Sequence, residues 1–214
     1  MAVSTRDLVW CAAMAMAACW TQSVLALDPR YPDWPCQQLK VPGISVASVW
    51  TGPPIDSVDQ QQLGELKDSD LAARLAARRT PMDEARKLIE GFLAGAGAAK
   101  QTRATALFAE LYSRLDAQRN EVMNGIERFS RKEKAMAEDI RAKTRKLQQL
   151  QDVASGNQAE IDDLANQVAW ETRIFEDRRK STSYVCEVPV LIEKRLFDLG
   201  RAIEDAVNAN SEAN

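Results

Sequence analysis

Residues 104–153 read ATALFAELYSRLDAQRNEVMNGIERFSRKEKAMAEDIRAKTRKLQQLQDV, and residues 157–207 read NQAEIDDLANQVAWETRIFEDRRKSTSYVCEVPVLIEKRLFDLGRAIEDAV. In both stretches apolar side chains recur at alternating steps of three and four residues, which is the repeat of a coiled-coil seam. Only Ala154-Ser155-Gly156 separates the two stretches, and Gly156 is a typical helix stop. The pattern therefore predicts an all-α protein with a long antiparallel helical hairpin.

Charged residues at seam positions set the expected register of this hairpin. Glu133 and Lys143 interrupt the first seam, and Glu171 and Arg178 interrupt the second. With the turn at residues 154–158, facing residues have numbers that sum to about 311 on simple antiparallel geometry. Glu133 then faces Arg178, and Lys143 lies near Glu171. Opposite charges meet at both places, which supports the hairpin and its register.

The first 26 residues have the features of an export signal. An apolar run follows Arg6, and Val24-Leu25-Ala26 places small residues where a signal peptidase cuts. Two alternatives stay open: an uncleaved membrane anchor over residues 8–27, and lipid attachment at Cys19. All three interpretations place the rest of the chain outside the cytoplasm. We therefore expect a periplasmic or secreted protein that contacts a membrane only if the N-terminal segment is retained.

Residues 27–56 form a predicted extended arm rich in proline and tryptophan. Six of the eight prolines of the chain lie here, and proline fixes φ and removes a backbone donor, so a helix is disfavoured. Trp34 and Trp50 have two interpretations: they bind another protein, or they fill grooves on this chain's own helices. The second is favoured, because a disulfide at Cys36 would hold the arm against the helices.

Cysteine usage predicts one disulfide bond. Outside the leader the chain has only Cys36 and Cys186, and two cysteines in an oxidising compartment most simply pair. Two free buried thiols are the alternative. We also expect Gly125, which falls opposite Cys186, to leave room for the arm to cross the hairpin.

The remaining segments complete the predicted organisation. Residues 57–98 carry helix start signals, the strongest of them Thr80-Pro81 followed by two acids. They should form short helices that pack on the base of the hairpin as a small bundle. Residues 99–214 form the long hairpin, whose outer part protrudes. Pro189 falls on a seam position and should kink or interrupt the last helix.

Composition excludes several kinds of function. The chain has no histidine, which removes histidine-based acid–base catalysis and histidine metal ligands. Its net charge is −3 and the charges are interspersed, so it lacks the basic face that nucleic acid requires. We expect no cofactor and no metal. An enzyme that uses carboxylates alone is a remote hypothesis, because no pair of acids suggests a cleft.

Function is expected to lie in contact with other proteins. The first hypothesis is a non-enzymatic envelope scaffold, adaptor or accessory subunit that binds another envelope protein or a second copy of itself. The second is a groove that binds an apolar ligand, a lipid or an unfolded chain. The candidate contact residues lie at the turn, on the hairpin away from its seam, and in the arm: Asn157, Gln158, Trp170, Ile174, Trp34 and Trp50.

Overall fold

A computed structural model describes residues 28–59, 61, 63–64, 70–153 and 157–209. The described residues contain helices and no strand. The helices of four or more residues are α1 (Val46–Val49), α2 (Asp70–Ala76), α3 (Met82–Leu93), α4 (Lys100–Asp152) and α5 (Gln158–Asn208), and single 3-10 turns cover Ile55–Ser57 and Gly97–Ala99. The leader and residues 154–156 of the predicted turn lie outside the described residues. None of the described helices is long and apolar enough to cross a bilayer.

Helices α4 and α5 pack against each other along their length, as the two heptad patterns predict. The register is confirmed by the charged seam residues. Arg178 Nη1 lies 3.4 Å from Glu133 Oε1, and Lys143 Nζ lies 2.5 Å from Glu171 Oε1. Because Lys143 is held by Asp139 and Glu171, which accept hydrogen bonds from it, the pKa of its ammonium group is raised. These pairs fix how far one helix slides along the other.

Helix α5 has a side-chain cap at its N-terminus and a proline in its interior. Asn157 caps its N-terminus, since its Oδ1 accepts a hydrogen bond from the Ala159 amide at 3.2 Å. Glu160 lies in the first turn, and its carboxylate is 3.6 Å from Lys146 Nζ of α4. The helix continues through Pro189, so of the two expected effects, a kink or an interruption, the interruption does not occur. Pro189 is buried against the base, so packing holds the helix where one backbone hydrogen bond is lost.

The base of the hairpin forms a small helical bundle with α2 and α3. Its fully buried side chains come from all four helices: Leu75, Ile89, Leu107, Phe108, Leu111, Leu115, Ile192, Leu196, Leu199 and Ile203. Arg195 fastens α2 to α5, because its guanidinium donates two hydrogen bonds to the Leu75 carbonyl at the end of α2. Burial lowers the pKa of this guanidinium. The largest core therefore lies at one end of the molecule.

Residues 28–59, which we call the strap, run along the hairpin and into the base. Cys36 and Cys186 form a disulfide bond, with Cα atoms 5.6 Å apart. Trp34 and Trp50 are each only 5 % exposed. Trp34 packs with the disulfide, Met123 and Ile126, and Trp50 stacks on Phe108 with ring centroids 4.3 Å apart. Both tryptophans therefore fill grooves on this chain's own helices.

Two details of the strap differ from expectation. It is not extended throughout, because α1 and a 3-10 turn interrupt it. Gly125 does not make room for it either, since a Cβ added there would meet only Arg128 Nη2, at 3.8 Å. The close approach lies at Gly200, where an added Cβ would overlap the Val49 carbonyl oxygen and lie 3.1 Å from Phe108. The strap thus passes close to α5 at Gly200, near the base of the hairpin.

Candidate functional site

From here on, the arm is the outer part of the hairpin, residues 134–153 and 157–185, and the N-terminal segment is called only the strap. Glu133 is the last buried residue of α4, and Cys186 is the first buried residue of α5. Between them the described residues form a two-helix projection whose seam is only half-buried. At 1.5 Å per residue, residues 158–185 extend for about 40 Å. This length places the arm's surface far from the base core.

A second heptad stripe runs along α5 beside the seam. It consists of Trp170, Ile174, Asp177, Ser181, Tyr184, Val188 and Leu191, and we call it the outer stripe. Its steps alternate between four and three residues, so its members share one flank of the helix. Trp170 is 64 % exposed and Tyr184 74 % exposed, while Ile174 is half-buried. Two large aromatic groups and Leu191 thus face outward on this flank, whereas Val188 packs against the base core.

The same flank of α5 is covered where it enters the base. Arg195 and Ala202 continue the spacing of the outer stripe, and both are buried. Arg195 contacts Leu75 of α2 and Met82 of α3. One flank therefore has a helical cover at the base and none along the arm within the described residues.

The other predicted contact residues lie elsewhere. Asn157 and Gln158 are exposed near the turn, where Asn157 is engaged as a cap and Gln158 donates a hydrogen bond to Asp162. Trp34 and Trp50 are enclosed in the body of the protein, so they do not belong to an exposed surface. Of the six residues, the structure brings Trp170 and Ile174 together on the outer stripe. Sequence analysis missed Tyr184, Val188 and Leu191.

A groove opens on the opposite flank of α5, beside the disulfide. Pro35–Gln38 of the strap form one wall, and α4 and α5 form the floor. The groove has a volume of about 680 Å³. Its lining includes aromatic, neutral polar and charged side chains, among them Phe129, Ser130, Glu133, Arg141, Phe175 and Arg179. We call it the strap groove. Its mixed lining differs from the apolar groove of the second hypothesis.

Ion pairs hold the N-terminal end of the strap beside this groove. Asp33 accepts a hydrogen bond from Lys134 Nζ at 2.9 Å and one from Arg131 Nη1 at 3.2 Å. These two cations hold the pKa of the Asp33 carboxyl below its ordinary value. Lys134 also donates to the Pro32 carbonyl at 2.6 Å. These bonds hold the strap wall in position. The Lys134 ammonium group already donates hydrogen bonds to the strap.

Side chains of the types that bind metal ions are not clustered among the described residues. No three His, Cys, Asp or Glu side chains among them lie close enough together to hold a metal ion. Acids and bases that approach each other form ion pairs at the seam, at the strap, within single helices and between helices of the base.

Comparison with protein-family models, curated proteins and solved structures finds no match for this chain. Its function is therefore argued from its own surfaces.

Proposed function

We propose that the protein is a non-enzymatic exported scaffold or adaptor, and that the outer stripe of its arm binds a helix of another envelope protein. The observation that carries this proposal is the exposure of Trp170, Tyr184 and Leu191 on one flank of α5. Aromatic side chains in such rows are typical anchors of protein interfaces. Exposed apolar side chains grouped on one surface are typical of a site that another protein covers.

A helix is the occupant that best fits this surface. The outer stripe repeats every three and four residues, which is the spacing at which one helix receives the side chains of another. At the base, the continuation of the same flank is already covered by α2 and α3. A partner helix would extend this packing along the arm from Leu191 towards Trp170.

Export is supported by two features. The leader has the order of charged, apolar and small residues found in signal peptides. The Cys36–Cys186 disulfide fits an oxidising compartment, since disulfides are rare in the cytosol. Periplasmic or secreted localisation, with the leader cleaved or retained as an anchor, is part of the proposal.

Shortening the arm tests the proposal. Deleting residues 137–150 and 161–174 together removes two heptads from each helix in matched register, because the ends of the two segments face each other. Trp170 and Ile174 are lost, while the base, the disulfide and the turn stay. In extracts of the producing cells, the native protein should migrate in a complex larger than itself, and the shortened protein should not.

The control is a variant with the arm intact and one exposed charge removed away from the outer stripe, Arg145→Ala. This variant should still assemble, and the shortened protein should keep the thermal unfolding of the base. An undiminished complex with the shortened arm would contradict the proposal. A complex that contains only copies of this chain would replace the heterologous partner with a homodimer.

A further inference from the structure

The floor of the strap groove carries a serine hydroxyl and a carboxylate with one oxygen that lacks a hydrogen-bond partner. Ser130 is 6 % exposed and lines the groove. Glu133 is 9 % exposed; its Oε1 is 3.4 Å from Arg178 Nη1, and its Oε2 has no partner. Ser130 and Glu133 lie one turn apart on α4, so both reach the same place. An acceptor pair of this kind is suited to a cationic donor.

An unpaired carboxylate oxygen is unfavourable in a buried position, and a donor from a ligand would relieve it. Glu133 Oε2 is covered in the present arrangement. A donor in the groove reaches the carboxylate once the carboxylate rotates about its last torsion, which is broad for glutamate. This rotation replaces the 3.4 Å contact between Glu133 Oε1 and Arg178 Nη1. A charged donor would form a strong hydrogen bond there.

The walls beside Glu133 are aromatic. Phe129 of α4 and Phe175 of α5 both line the strap groove and are half-buried. Lysine and arginine side chains bury their aliphatic stems along apolar surfaces while the charged end reaches a polar group. The two rings therefore suit the aliphatic stem of a lysine or arginine, and Glu133 suits its charged end.

The length of the groove favours a peptide over a small amine. Along α4 the lining runs from Phe129 to Arg141, which is about 18 Å at the helical rise. An extended chain of about five residues spans that distance at ~3.3 Å per residue. Arg141 and Arg179 have no ion-pair partner among the described residues and can donate to the carbonyl groups of such a chain.

We infer that the strap groove binds an extended peptide segment whose lysine or arginine side chain enters between Phe129 and Phe175 and reaches Glu133 and Ser130. The inference is independent of the proposed partner helix, because the groove and the outer stripe lie on opposite flanks of α5. One chain would then hold a helix on one flank of its arm and a basic peptide on the other.

Selection from a displayed library of random seven-residue peptides tests this inference, with the full-length protein immobilised. Enriched peptides should share a lysine or arginine with apolar neighbours. Their affinity should fall at least about tenfold for Glu133→Gln, which removes the charge and keeps the shape. It should fall less for Ser130→Ala, and it should be unchanged for Glu176→Gln, an exposed carboxylate outside the groove, and for Trp170→Ala.

Three outcomes would overturn the inference. They are enrichment of peptides without a basic residue, equal affinity for the native protein and Glu133→Gln, and absence of any enriched peptide. A fourth, binding of lysine amide as tightly as the peptides, would limit the site to a small cation and reject the extended chain. Since Glu133→Gln is isosteric, unchanged circular dichroism and thermal unfolding establish that each loss arises in the groove.

Discussion

Replacing both Cys36 and Cys186 by serine should lower the free energy of unfolding by about 2–4 kcal/mol. The disulfide joins residues 150 positions apart, so its loss releases a large loop in the unfolded chain and raises the entropy of that state. For a chain of this size, the corresponding fall in melting temperature is about 4–16 °C. Denaturant titration of the native and doubly substituted proteins measures the change.

The strap should respond unevenly to this change. Its N-terminal part packs on the disulfide through Trp34, whereas its C-terminal part is held by the stacking of Trp50 on Phe108. Amide hydrogen exchange should therefore accelerate in residues 31–38 and stay nearly unchanged around residues 46–51. Reduction of the native protein is the matched control and should reproduce both effects. Equal unfolding free energies with and without the disulfide would contradict this account of the strap.

Gly200→Ala should destabilise the base by about 1–3 kcal/mol, although alanine is the better helix former. An added Cβ would overlap the Val49 carbonyl oxygen and press on the Phe108 ring. Neither group can move freely, since Phe108 is fully buried and stacked against Trp50. The strap must then lift from α5. Thermal unfolding measures the loss, and a red shift of tryptophan emission should accompany it as Trp50 meets water.

Gly91→Ala is the control for this substitution. Gly91 lies inside α3, where an added Cβ would have no atom within 4 Å. Alanine should therefore stabilise the protein by about 0.5–1 kcal/mol through helix propensity alone. If Gly200→Ala also raised stability, the close approach of the strap at this position would be wrong.

The hairpin could be predicted because its determinants repeat along the chain. Heptad spacing identified both helices, and the charges of Glu133 and Arg178 identified their register before any contact was known. The strap has no such period. Its crossing point depends on which groove of the finished bundle it enters, so the sequence pointed to Gly125 whereas the tight contact lies at Gly200. At Pro189 the predicted interruption does not occur for a related reason, because tertiary packing outweighs the local preference of proline.

The contact surfaces could be predicted in part. Trp170 and Ile174 were recognised as apolar residues off the seam. Tyr184 and Leu191 carry the same signal, since they continue the spacing of four and three residues from Trp170. The strap groove could not be found this way, because the strap, α4 and α5 each contribute to its lining. Only the folded chain brings Ser130 and Glu133 next to Phe175.

Photocrosslinking in the producing cells tests the central claim, that the outer stripe is an interface. A photoreactive amino acid replaces Trp170 or Tyr184, and in the control it replaces Glu176 on another face of α5. Mass spectrometry then identifies the adducts. The account predicts one discrete heterologous protein from Trp170 and Tyr184 and none from Glu176. Equal labelling at all three positions, or no adduct from the outer stripe, would contradict it.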